Sequence, residues 1–170
     1  MICPRCGRDN VPGDELCAGC QFDLAPLDQP APHDRVQYDL MERVVGDLKP
    51  PPAVTVQHNA PLSQAVATMV DRNVGTVLVV DDDGRLAGIF SERDLLRRVP
   101  DADARAGKRL VHDFMTPNPE TVAPDDTLAY ALHKMDVGGY RHLPVVAAGA
   151  PVGMISVRDM VRHIAKLCRE

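Results

Sequence analysis

Two kinds of apolar spacing alternate along most of this chain, and they do so twice in the same order. Leu62, Ala65, Val66 and Met69 recur at i, i+3, i+4 and i+7, which predicts a helix over 62–72. A continuous run follows, Thr76-Val-Leu-Val-Val80, and predicts a strand buried on both faces. The turn Asp81-Asp-Asp-Gly84 leads into a further strand over 86–90 and then a last helix, while a short Thr-Val strand at 54–56 stands in front. The order β-α-β-β-α then repeats. Its second appearance has a strand at 120–122, a helix over 127–138, the strand His142-Leu-Pro-Val-Val146, a turn at 147–150, a strand over 152–155 and a final helix.

The two appearances superpose on a shift of 66 residues. Val45-Gly-Asp-Leu falls on Val111-His-Asp-Phe, and Leu62, Ala65, Val66 and Met69 fall on Leu128, Ala131, Leu132 and Met135. One residue is dropped inside the second turn, after which Gly88-Ile-Phe-Ser meets Gly153-Met-Ile-Ser. A match of this length, broken only in a turn, is a duplicated unit. Ahead of it, Val36, Leu40, Val44 and Leu48 predict a short amphipathic helix over 36–47. Residues 25–35 read APLDQPAPHDR, a Pro-rich, semi-extended linker.

The first 24 residues have no such periodicity. They hold four of the five cysteines, as Cys3-Pro-Arg-Cys6 and Cys17-Ala-Gly-Cys20. Two residues between cysteines fold the chain into a tight knuckle whose thiolates aim at one centre, and two knuckles complete a closed tetrahedral Zn2+ site. Gly7 and Gly19 are expected to supply the backbone angles a knuckle needs. Disulfides or a reduced tail are the competing readings, and the first conflicts with the cytosolic setting read below. The segment resembles the small zinc-ribbon family in its CPxCG knuckle and its CxxC partner. It carries Arg5 and Arg8 against Asp9, Asp14, Glu15 and Asp23, a slightly acidic balance that points to structural or protein-docking use over nucleic-acid binding. Cys168 has no partner in sequence.

Composition narrows the class. The net charge of −5 offers no general attraction to nucleic acid or anionic membranes. No apolar run approaches the roughly 20 residues of a membrane span, and the start MICPRCGRDN lacks a signal peptide's apolar region. A cytoplasmic protein is expected. No Gly-x-Ser-x-Gly elbow, H-E-x-x-H or P-loop appears, so the chain reads as a non-enzyme.

The duplicated phrase Ser91-Glu-Arg-Asp94 and Ser156-Val-Arg-Asp159 has two readings. As a helix start, Ser is the N-cap and Asp the acid at N3, with no ligand needed. As a site, the helix N-terminus offers N–H groups to a phosphate, the carboxylate can take both hydroxyls of a ribose, and Arg93 and Arg158 add positive charge. The copies differ: Tyr140-Arg141-His142 precedes the buried strand of the second, where the first has Val74-Gly75-Thr76. One better anion site, using Arg141 or His142, and one weaker or empty site are therefore expected. His33, His58, His112, His133 and His163 read as surface positions.

Residues 45–168 resemble a tandem pair of CBS domains, the arrangement known as a Bateman module. The resemblance is carried by Asp113-Phe-Met-Thr116, by Gly139-Tyr-Arg-His-Leu-Pro-Val145 and by the two Gly-x-x-Ser-x-x-Asp stretches. It implies an α+β fold of two β-α-β-β-α repeats packed sheet to sheet about a pseudo-twofold axis, beside the small four-cysteine zinc ribbon. It also implies a homodimer, and clefts that hold adenosine-bearing ligands such as AMP, ADP, ATP, NAD or S-adenosylmethionine. Carried over, Asp94 and Asp159 hold ribose, Ser91 and Ser156 lie beside phosphate, and the Thr55 and Thr121 strands run along adenine. Tyr140, Arg141 and His142 complete the set of binding residues. The expected divisions are a ribbon at 1–24, a linker at 25–35, the first repeat with its leading helix at 36–100, a linker at 101–110 and the second repeat at 111–170. A regulatory module binding an adenosyl ligand, a structural adaptor with empty clefts and a ribbon that binds nucleic acid are the three functional readings.

Overall fold

The structure, a computed structural model, describes residues 1–11, 13–24, 35–99 and 106–169. Nearly all of the linker expected at 25–35 and the first half of that at 101–110 lie outside the described residues. The chain forms two compact units, Met1–Tyr38 and Asp39–Glu170.

In the first unit each cysteine pair closes its own knuckle. Gly7 N–H donates to Cys3 O and Gln21 N–H to Cys17 O, both at 2.9 Å, and single bridges at Ile2/Asp9 and Leu16/Asp23 flank the turns. The residue after each cysteine pair is left-handed, Gly7 (φ +73°) and Gln21 (φ +58°). Gly19, expected to provide such an angle, serves instead for close approach: a Cβ there would lie 2.8 Å from Arg8 Cδ. Cys3, Cys17 and Leu24 are buried at the centre.

The second unit holds both repeats. The first comprises β1 (Thr55–Gln57), α2 (Leu62–Arg72), β2 (Thr76–Val80), β3 (Leu86–Ser91) and α3 (Glu92–Arg98), after α1 (Arg35–Glu42). The second comprises α4 (Leu128–Gly138), β5 (His142–Ala147), β6 (Ala150–Ser156) and α5 (Val157–Leu167), preceded by the short strand β4 (Thr116–Pro117). β2 is buried at every residue, as its unbroken apolar run requires. Both copies carry an irregularity at the same place, Val79/Val80 and Val145/Val146.

The repeats exchange their lead-in segments. β4, which introduces the second repeat, pairs antiparallel with β3 of the first, Gly88 facing Pro117. Reciprocally, Pro52, which introduces the first repeat, bridges Gly153 on β6. Val111 N–H donates to Ala60 O, and Val45 N–H to Asp126 O. Val111 and Phe114 are thereby sealed into the first repeat's core, and Val45 into the second's. This reciprocal hand-over is what a pseudo-twofold relation between duplicated halves produces.

Two expectations fail for local reasons. The amphipathic helix read over 36–47 ends at Glu42, and a 3-10 turn covers Val45–Leu48. The backbone N–H groups of Val45 and Gly46 leave the helical pattern to bond Asp126 O and Pro124 O of the second repeat, each at 2.8 Å. The strand expected at 120–122 is reduced to one parallel bridge, Val122/Val145. In the first copy Leu78 N–H donates to Val54 O, but its counterpart Pro144 has no N–H to give. The run Pro50-Pro51-Pro52 limits the other edge of that sheet in the same way.

Candidate functional site

Both Ser-x-Arg-Asp phrases are helix caps, with matching geometry. Ser156 N–H and Oγ–H donate to Asp159 Oδ2 at 2.9 and 2.6 Å, and Asp159 N–H donates to Ser156 Oγ at 3.3 Å. Ser91 and Asp94 repeat the pattern at 3.0, 2.6 and 3.4 Å. The first N–H of each helix is also taken, Val157 N–H by Arg141 O and Glu92 N–H by Gly75 O. These helix starts therefore have few N–H groups to spare, and both serine hydroxyls are committed to the caps. The outer carboxylate oxygen, Oδ1, is what each cap leaves over.

At Oδ1 the copies part. Asp94 Oδ1 accepts from Thr116 Oγ1 at 3.4 Å and lies 3.4 Å from Arg98 Nε, and its side chain is 13% exposed. Asp159 Oδ1 has Arg162 Nη1 at 3.7 Å, and its side chain is 32% exposed. Arg162 is itself 68% exposed, so that contact is solvent-screened and weak.

Cations converge on the second copy. His142 faces Ser156 across the β5–β6 ladder, with Arg141 beside it. Crowding by the surrounding chain pushes the His142 pKa down; Asp159 works against this, and Arg141 and Arg158 reinforce it. Those four charged or ionisable groups thus share one electrostatic neighbourhood. Arg141, His142 and Arg158 remain exposed. The first copy has buried Thr76 opposite Ser91 instead, and the Glu92 carboxylate lies against Gly75, 3.2 Å from where a Cβ would sit.

The remaining candidates are more dispersed. Arg93 is exposed on α3. Thr55 is exposed on β1 and lines an open groove of about 460 Å³ with Pro52, Ala53, Val54, Thr68 and Arg72; neither Asp94 nor Asp159 lines it. The Thr121 carbonyl accepts from Lys134 Nζ at 2.8 Å. The Tyr140 ring folds over Gly138, where a Cβ would come within 1.9 Å of it. His163, expected at the surface, is only 13% exposed in its side chain and pairs with Asp39 at 2.5 Å. Sequence spacing missed Arg98, although Asp94 and Arg98 stand at i and i+4 on one helix.

In the ribbon unit the four cysteine sulfurs lie within 4.8 Å of one another, with Cys3/Cys20 and Cys6/Cys17 both at 3.6 Å. A tetrahedral metal with metal–sulfur bonds of about 2.3 Å sets its sulfurs about 3.8 Å apart, so the donor set and spacing fit a metal ion. Gly19 N–H donates to Cys17 Sγ at 3.4 Å and draws the Cys17 thiol down to about 6, whereas burial pushes Cys20 up to about 12.

Comparison with known proteins agrees with this architecture. Residues 45–101 and 111–166 each match the CBS domain family. A 17.7 kDa protein of Acidianus ambivalens is 31% identical over 110 residues, covering 64% of this chain and 65% of its own length. A CBS domain-containing protein of Arabidopsis thaliana is 34% identical over 116 residues, covering 68% of this chain and 22% of its own. The chain thus spans just under two thirds of the first relative and about a fifth of the second. Among solved structures, a CBS-domain containing protein from Agrobacterium tumefaciens has a TM-score of 0.64 and 33% identity, covering 71% of this chain and 98% of that one. CBSX2, solved in complex with AMP, has a TM-score of 0.63 and 28% identity, covering 74% and 98%. The chain belongs to the CBS-domain family, as a tandem pair of CBS repeats with a four-cysteine cluster near its N-terminus.

Proposed function

We propose that this protein is a non-catalytic regulatory module that binds an adenosine-bearing ligand, such as AMP, ADP, ATP, NAD or S-adenosylmethionine, at the second copy of the Ser-x-Arg-Asp motif. The observation that carries the reading is the outer oxygen of Asp159. The cap leaves it over, its side chain is partly open to solvent, and Asp159 shares its electrostatic neighbourhood with Arg141, His142 and Arg158. A ribose diol needs an acceptor of this kind, and phosphates need such cations. With the cap consuming the first N–H groups, phosphate recognition falls to the side chains. AMP in the related CBSX2 structure supports the ligand class.

The ribbon is proposed to hold Zn2+ through Cys3, Cys6, Cys17 and Cys20 as a structural ion. Exposed Ile2, Val11 and Leu16 suit that unit to docking on a protein. A homodimer through the repeats and a cytoplasmic location complete the proposal. Exposed Val70, Leu96, Val137 and Val161 on the repeat helices favour self-association, and no helix among the described residues is long and apolar enough to cross a membrane. One observation favours the adaptor reading for the first copy: its Ser91 and both oxygens of its Asp94 are taken up by capping and internal pairing.

A thermal-shift series on zinc-loaded protein with AMP, ATP, NAD and S-adenosylmethionine tests this function. At least one should raise the melting temperature, saturably. A flat response to all four would leave the adaptor as the better account.

A further inference from the structure

The two clefts differ by more than affinity, because the first contains an arginine where a ligand would have to reach. Arg98, at the end of α3, donates to Phe114 O at 3.1 Å, to Met115 O at 2.5 Å and to Thr116 Oγ1 at 3.1 Å. Its Nε stands 3.4 Å from Asp94 Oδ1. Thr116 Oγ1 also donates to that oxygen at 3.4 Å. The side chain thus ties the motif aspartate of the first repeat to the lead-in strand of the second. We propose that Arg98 is a latch that holds the first cleft shut, so that the pair takes one adenosyl ligand per chain, at Asp159. This rests on the adenosyl reading above.

The argument is one of hydrogen-bond replacement. Asp94 Oδ2 is spent on the cap, and Oδ1 is the only acceptor left to a ribose diol. To reach it, the diol must displace both Arg98 and Thr116. A ribose can replace the donors that Oδ1 loses, but it cannot serve the two backbone carbonyls that a displaced guanidinium abandons. Glu92 adds a negative charge beside Gly75, where the second copy carries Val157.

The second copy cannot build the same latch. Under the 65-residue offset that carries Asp94 onto Asp159, Arg98 becomes His163; by strand pairing, with Pro52 bridging Gly153 as Pro117 pairs with Gly88, Pro51 stands where Thr116 does. Pro51 has no hydroxyl. His163 turns away to Asp39 on α1. The difference in exposure between Asp94 and Asp159, 13% against 32%, follows from those two substitutions.

The test is AMP titration by calorimetry on the full zinc-loaded chain, with thermal unfolding alongside. Wild type should bind about one AMP per chain, Asp94→Asn should match it in stoichiometry and affinity, and Arg98→Met should gain a second binding event. Two sites in wild type, lost affinity in Asp94→Asn, or a single site persisting in Arg98→Met would each overturn the latch. If wild type binds no AMP, the AMP form of the adenosyl reading fails and unfolding decides the latch by itself. Arg98→Met should then melt about 3–6 °C lower, with Asp94→Asn adding little to that loss in the double variant. An unchanged melting temperature in Arg98→Met overturns the latch whatever AMP does.

Discussion

If each repeat's core is completed by the other's lead-in segment, a truncation in one lead-in should be felt across the pair. Val111 precedes the second repeat yet is fully buried in the first repeat's core with Met69, and Val45 precedes the first yet is fully buried in the second's with Met135. Valine to alanine removes two methyl-sized groups, about 1.6 kcal/mol at about 0.8 kcal/mol each. The roughly 40 Å³ left empty adds up to about 1 kcal/mol if the core does not relax. Each variant should therefore lose about 2–2.5 kcal/mol, lowering the urea midpoint by roughly 1–1.5 M for a pair of this size. The assay is urea unfolding by circular dichroism, joined to methyl spectra of methionine-labelled protein. Val111→Ala should shift the Met69 methyl and spare Met135, and Val45→Ala should do the reverse. A loss below about 0.5 kcal/mol, or the opposite pattern of methyl shifts, would refute the exchange.

Other expectations are equally specific. Stripping metal with a chelator should unfold the cysteine knuckles, exposing four reactive thiols, while the transition of the repeats keeps its midpoint; measured zinc should be one per chain. Burial works against ionising Asp39, but hydrogen bonds from His163 and Arg43 outweigh it and hold its pKa below the ordinary value. Its stabilising effect is therefore present above about pH 4 and is lost as pH falls through the folded pKa. Asp39→Asn should cost about 1–3 kcal/mol at pH 7, and the gap from wild type should close in acid; a gap that widens there contradicts the pairing. The His142 pKa is lowered by crowding, so the ligand-free protein should lose stability as pH drops through about 6.5. A bound phosphate reverses that bias, so AMP affinity should rise from pH 7.5 to 6 with proton uptake, and His142→Gln should flatten the slope. A slope of the opposite sign would remove His142 from the site.

What the sequence disclosed were the features set by near neighbours. The helix at 62–72 and the run at 76–80 fall where the apolar spacing puts them, because one buried face decides both. Four cysteines in two C-x2-C pairs converge because a two-residue gap leaves the knuckle little choice. Features set by distant partners stayed hidden. Nothing local says that Val45 belongs to the far core, or that α1 stops at Glu42 because Asp126 and Pro124 take the next N–H groups. The Asp39–His163 pair spans 124 positions, and the Arg98 bonds span 16 to 18. The difference between the copies at Arg141 and His142 was legible, but not the one at the aspartates. The cap leaves Oδ1 over in both, and only in the first copy do Thr116 and Arg98 take it up.

The most direct test of that claim is the dissociation constant of AMP for wild type and for Asp159→Asn, in protein shown to be equally folded. The amide keeps an oxygen for the Ser156 cap and loses the charge that holds ribose. Binding should weaken by about 10–150-fold, the equivalent of about 1.5–3 kcal/mol for hydrogen bonds to a charged group. An unchanged dissociation constant would show that Asp159 caps its helix and does nothing more.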